Sequence, residues 1–180
     1  MTPYEALLEA NGDAQVRMGR VDADDPWAGS AFEWLMRLPS RSRGKAGELI
    51  AESWLQGLGF NVRAPSNTGH DRIVSDRKVE IKFSTLWAGG EYVFQQLRDQ
   101  DYELALMLAI SPSVANCWLV PKAEAFERAV PQHGGAAGRD TRWLRLKASA
   151  PPPWMSAYGG ELEAAVPVLV SAFRTTAISR

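Results

Sequence analysis

Asp71, Glu80 and Lys82 lie in the stretch GHDRIVSDRKVEIKFSTLW, from Gly69 to Trp87, and they break a rule of buried strands. A charge removed from water without a partner is costly, so a repeated breach along two apolar strand patterns needs a cause. The segments DRIVS and KVEIKFS read as strands, and SDRK between them can fold the pair into a hairpin that sets Asp71 beside Glu80. Glu80 and Lys82 then project from one face of the second strand, while Val79, Ile81 and Phe83 line the other. Two carboxylates meeting at a sheet end beside an ammonium suit a hard cation such as Mg2+, which takes few protein carboxylates and keeps several waters. Such an ion polarises a phosphoryl oxygen and lowers the pKa of its bound water. A neighbouring lysine positions that water or offsets developing charge. The exposed face of an ordinary strand, with Glu80 and Lys82 weakly paired, carries the same letters, and the short motif alone favours that plainer reading.

The elements on either side decide what the three residues can do. Gly47 to Leu58 puts Ile50, Trp54 and Leu58 on one helical face, with Leu55 beside them and Gly59 at the place of a C-terminal cap. Glu48 opens this helix off its apolar face. It is either a third carboxylate within reach of a metal or its water shell, or a first-turn glutamate favoured by the helix dipole. Ahead of the helix, RLPSRSRGK reads as a basic loop with Arg37, Arg41, Arg43 and Lys45, preceded by helical patterns over Tyr4 to Ala10 and Ala31 to Leu38. FNVRAP reads as a further short strand. After the hairpin, GGEYVFQQLRDQD suggests a helix starting beyond two glycines, whose Gln95 and Gln96 either contact phosphate or order water, or form a plain polar face. LALMLAI is a continuous apolar strand covered on both faces, NCWLVP is another, and KAEAFERAV is a helix. TRWLRLKA is a strand within the Gly-, Pro- and Ala-rich residues 131 to 160. ELEAAVPVLVSAFRTT is a last helix that Pro167 interrupts or starts. This order predicts an α/β fold, with a mixed central β-sheet flanked by helices.

Composition bounds the rest. The 180 residues, 46% hydrophobic and 23% charged, suit a single soluble domain over 1–180. The apolar run Leu104 to Ile110 is too short to span a bilayer, which predicts no membrane association. One cysteine, Cys117, excludes an internal disulfide, and with two histidines it leaves no usual structural zinc site. No basic-then-apolar leader opens the sequence, so a cytoplasmic location is expected. The net charge of -1 argues against wholesale polyanion binding, though a local basic patch is enough to hold phosphates. Of the seven tryptophans, Trp54, Trp118 and Trp87 read as core.

With Glu48 on a helix, Asp71, VEIK carrying Glu80 and Lys82, a Gln-bearing element and LALMLAIS in that order, the chain resembles the PD-(D/E)xK nuclease superfamily. More narrowly it is similar to small type II restriction endonucleases, over residues 37 to 128. His70 stands where the motif expects proline, and it carries no role from the family. The resemblance implies an αβββαβ core and Mg2+-dependent hydrolysis of phosphodiester bonds in double-stranded DNA, with Mn2+ able to substitute. It also implies a homodimer that cuts both strands, and a DNA methyltransferase as a genetic rather than physical partner. Asp71 and Glu80 would be the metal ligands, Lys82 the catalytic lysine and Glu48 the accessory carboxylate. Residues 1–36 would form an N-terminal helical segment, and 129–180 an extension that contacts DNA or dimerises.

Reading a DNA site needs side chains that reach base edges. Arg41, Arg43 and Lys45 are candidates, as are His133, Arg139 and Arg142 with Arg145 and Lys147, set against a plain surface loop leading to an edge strand. His70 is a further candidate for the scissile phosphate, set against a satisfied loop histidine. A structure-selective repair or junction nuclease, and a non-catalytic DNA-binding module on the same fold, are the competing readings.

Overall fold

Two clusters of apolar side chains, one on each face of a six-stranded sheet, organise the chain. The computed structural model describes residues 25–65, 69–131 and 141–174. The helix expected over Tyr4 to Ala10, together with His133 and Arg139, lies outside the described residues.

The large sheet runs β1 (Val62–Arg63), β2 (Arg72–Val74), β3 (Arg77–Thr85), β5 (Leu104–Ile110), β6 (Ala115–Pro121), β9 (Gly159–Glu161). The β3–β5 pair is parallel, and the remaining pairs are antiparallel. A second, three-stranded antiparallel sheet has the order β4 (Glu91–Leu97), β8 (Arg142–Lys147), β7 (Val130–Pro131). The helices are α1 (Glu33–Met36), α2 (Ser40–Gly57), α3 (Lys122–Arg128) and α4 (Leu162–Arg174), with a 3-10 helix over Pro153–Tyr158. The expected mixed sheet flanked by helices is present.

β5 is buried throughout, and its period of two divides it between the clusters. Leu104, Leu106, Leu108 and Ile110 pack with α2 and α4 residues such as Leu55 and Leu169. Ala105, Met107 and Ala109 pack with Tyr92, Phe94, Leu144 and Leu146 of the second sheet. β3 divides the same way. Val79 and Ile81 enter the first cluster with Phe83 packed against it, so Glu80 and Lys82 must face the side on which the second sheet lies.

Three expectations need correction. The segment carrying Gln95 and Gln96 is the strand β4, not a helix. Tyr92, Val93 and Phe94 are strand formers, and Leu144 and Leu146 of β8 pair across from them. The two glycines make a turn instead, with Gly90 at φ 72 and Trp87 and Glu91 hydrogen-bonded across it. The basic loop is helical from Ser40, so Glu48 lies well inside α2 rather than in its first turn. Pro39 fits the position just ahead of a first turn, and Ser and Arg do nothing to break a helix. Finally, α4 continues through Pro167, with Ala165, Leu169 and Phe173 keeping one buried face across it.

Candidate functional site

A two-residue turn builds the hairpin that carries the site. Ser75 and Asp76 sit at φ 45 and 71 between Val74 and Arg77, which pair with each other. Positive φ at both turn residues matches the right-handed twist of the strands, and aspartate tolerates it. Asp71 follows in register. Its N–H donates to the Val79 carbonyl at 3.1 Å, and its Oδ2 accepts from the Ile81 N–H at 2.7 Å. The carboxylate is thereby held against the middle of β3.

Glu80 is buried, 5% exposed, and its Oε1 accepts from Lys82 Nζ at 2.6 Å. Burial pushes the Glu80 carboxyl above its ordinary value, Lys82 opposes that, and Asp71 and Glu48 add to it. Its negative charge is therefore under-compensated, which is the condition a cation relieves. The Tyr102 hydroxyl, buried without a hydrogen-bond partner among the described residues, is pushed up to about 12 by burial and then by Glu80 and Asp99.

Glu48 shares this field, but its carboxylate accepts from Lys45 Nζ at 2.8 Å. Among the described residues, no group of three or more His, Cys, Asp or Glu side chains is placed to hold a metal ion. Asp71 and Glu80 are hard oxygen donors, and such a pair fits an ion that keeps several waters, as Mg2+ does. It does not fit an ion that needs a closed set of protein ligands.

A cleft of about 700 Å³ opens between the N-terminal half of α2, β3 and β4. Lys82 and Glu48 stand on its wall with Arg41, Arg43, Trp87, Gln95 and Gln96, whereas Asp71 and Glu80 do not line it. Lys82 thus connects the buried Glu80 carboxylate to the cleft. Arg41 is exposed on this wall, with no hydrogen bond or ion pair among the described residues.

Other candidates are bonded within the fold or lie off the cleft. Arg43 lines the cleft, but its guanidinium donates to the carbonyls of Leu35 and Leu38, both at 3.1 Å, and ties α1 to α2. Lys45 sits on a separate apolar groove with Trp34 and Leu49. Arg142 donates to the Phe126 carbonyl at 2.9 Å and stacks 3.9 Å from the Phe126 ring, bracing α3. His70 is 4% exposed, away from the cleft lining, and neither ring nitrogen has a hydrogen-bond partner among the described residues. It is therefore not the satisfied loop histidine of the plainer expectation.

Several contributors escape the sequence pattern. Arg72 donates to the Asp71 carbonyl at 2.6 Å and to Glu52 Oε2 at 2.7 Å, which locks the hairpin to α2. Glu52 lies one turn beyond Glu48, and that spacing was the available signal. Ser84 Oγ accepts from the Val93 N–H at 2.9 Å and joins β3 to β4. Trp87, expected in the core, is 42% exposed on the cleft.

The sequence matches no protein-family model and no curated protein sequence. Among solved structures it is similar to that of a bacterial homing endonuclease, I-Ssp6803I, at 16% identity, over 76% of this chain and 96% of that one, with a TM-score of 0.47. A likeness of this extent assigns no activity to any residue here.

Glu80 also gives a pH dependence. Its folded pKa is raised, so its neutral form is favoured in the fold, and stability falls as pH rises through that value. Glu80→Gln keeps the shape without the charge. In metal-free buffer it is expected to unfold at a higher temperature than wild type at neutral pH. The advantage should disappear as the pH falls below the ordinary carboxylate range. Thermal unfolding across pH checks this, and a neutral-pH advantage that does not shrink on acidification would show that ionised Glu80 is not the strained group.

Proposed function

We propose that this protein is an endonuclease that hydrolyses phosphodiester bonds in double-stranded DNA with Mg2+, using Asp71, Glu80 and Lys82. One observation carries the reading: a buried, under-compensated Glu80 is paired to Lys82 beside the hydrogen-bonded Asp71, and Lys82 opens onto a cleft whose wall holds Arg41, unpaired among the described residues. A structural ion pair would need no cleft, and a solvated strand face would not be buried.

When bound, Mg2+ supplies a polarised phosphoryl oxygen and a bound water of lowered pKa. The chain supplies the rest. Asp71 and Glu80 offer oxygens for the ion, and the Ile81 N–H fixes the Asp71 carboxylate against rotation. Lys82 Nζ is held by Glu80 and offsets the negative charge that gathers on the phosphoryl oxygens. Arg41 is free to take a flanking phosphate. In its finer form the proposal is a site-specific restriction activity, in a homodimer that cuts both strands.

Cation binding tests the site directly. Mg2+ or Mn2+ should raise the unfolding midpoint of the wild type, reaching about 2.7 kcal/mol at a hundredfold excess over its dissociation constant. Asp71→Asn and Glu80→Gln should abolish the shift. A wild type that gains nothing from either cation would leave a non-catalytic module as the better reading.

A further inference from the structure

Consecutive residues of a strand point to opposite faces, yet Gln95 and Gln96 both line the same cleft. A bulge is the cause. Pairing of β4 with β8 runs in step from Glu91–Lys147 to Phe94–Leu144, then slips before Leu97–Arg142. Gln96 sits in the slip at φ 56, in the left-handed region that glycine or asparagine occupies with less strain. Its side chain does little for the fold. It is exposed, and its amide oxygen accepts a long 3.4 Å contact from Arg98. A large polar side chain held in a strained conformation, with almost nothing to bond, points to a ligand outside the chain.

The amide chemistry narrows that ligand. A phosphate offers only acceptors and would use half of each amide, and Arg41 in the same cleft serves phosphates better. A glutamine amide matches a group that presents a donor and an acceptor side by side, as the N6 and N7 edge of adenine does in the major groove. β4 is the edge strand of its three-stranded sheet; Tyr92, Val93, Phe94 and Leu97 are buried, so the two glutamines are what this end of the strand offers to the cleft. Bulges at sheet edges re-aim side chains in this way.

We infer that Gln95 and Gln96 are specificity-determining residues that read an adenine-bearing step of duplex DNA while Lys82 faces the backbone. The inference rests on the DNA reading proposed above.

The test is Mg2+-dependent digestion of a randomised duplex library by the full chain, with sequencing of the ends. The distribution of ends is the readout, whatever the overall rate. Wild type should enrich adenine at one or two fixed positions. Gln95→Ala, Gln96→Ala and Gln96→Gly should reduce that discrimination by about tenfold or more. Glycine suits the φ of Gln96, so loss of preference in that variant cannot be ascribed to misfolding. Replacing the preferred adenine by 7-deazaadenine, which lacks the N7 acceptor, should slow the wild type and leave Gln96→Ala indifferent. A wild type that neither cuts nor binds the library overturns the DNA reading itself. A wild type that cuts with a preference unchanged in all three variants overturns this inference alone.

Discussion

Lys82→Ala is expected to lower DNA cleavage by about 10²–10³-fold while leaving the chain folded. Two effects combine in that loss. The ammonium that faces the cleft disappears, and with it the offset of charge on the phosphoryl oxygens. Glu80 also loses the partner that opposes its burial, so its already raised pKa rises further and the carboxyl holds its proton to higher pH. A metal ligand must be deprotonated, so cation affinity falls as well. The two effects separate in a pH profile. The acid limb of the Lys82→Ala profile should move to higher pH. Lys82→Arg, which keeps the charge, should hold the limb near that of the wild type without restoring the full rate, because a planar guanidinium does not replace a compact ammonium. The fold survives because Lys82 is only partly buried and Glu80 can protonate once it is alone. A wild-type rate in Lys82→Ala would remove this residue from the chemistry.

Gly47→Ala is expected to destabilise the chain by about 1–3 kcal/mol, although alanine is the better helix former. A Cβ built at Gly47 would stand 2.0 Å from Phe83 Cγ and 2.4 Å from Phe83 Cβ. Gly47 is where α2 lies directly on β3. Helix propensity favours alanine by about 1 kcal/mol, and an overlap of this depth outweighs it. Relief requires α2 to lift, which carries Glu48 away, or Phe83 to turn towards the cleft it lines. Either route disturbs the strand that bears Glu80 and Lys82, so activity should fall with stability. Thermal unfolding gives the size, at roughly 2–4 °C per kcal/mol for a chain of this length. Adding Phe83→Ala removes the obstacle, so the double variant should lose less than the sum of the singles. A Gly47→Ala protein as stable as wild type would mean that the helix and strand do not meet this closely.

The strands that carry the site are legible because their signals are local. KVEIKFS alternates with period two, LALMLAI is apolar on both faces, and the turn ahead of KVEIKFS, Ser75 and Asp76, has residues that accept positive φ. Asp71, Glu80 and Lys82 come together through that hairpin alone, so their meeting needs no distant information. β4 is not legible because Gln95, Gln96, Leu97 and Arg98 suit a helix, and its partner β8 lies far along the chain. The start of α2 is hard to read because its cap position holds Pro39, which offers no side-chain hydrogen bond, and tertiary ties from Arg43 to Leu35 and Leu38 hold it instead. The burial of His70 and the exposure of Trp87 are properties of the assembled fold, which no local pattern encodes. The cleft is the least legible feature, since its walls come from segments separated in sequence.

Digestion of a sequenced viral genome by the purified protein, followed by mapping of the ends, tests the assignment most directly. With Mg2+ the wild type should give discrete fragments whose ends recur at one sequence, and Glu80→Gln should leave the DNA intact. Intact DNA from the wild type in both Mg2+ and Mn2+ would contradict a nuclease at Asp71, Glu80 and Lys82.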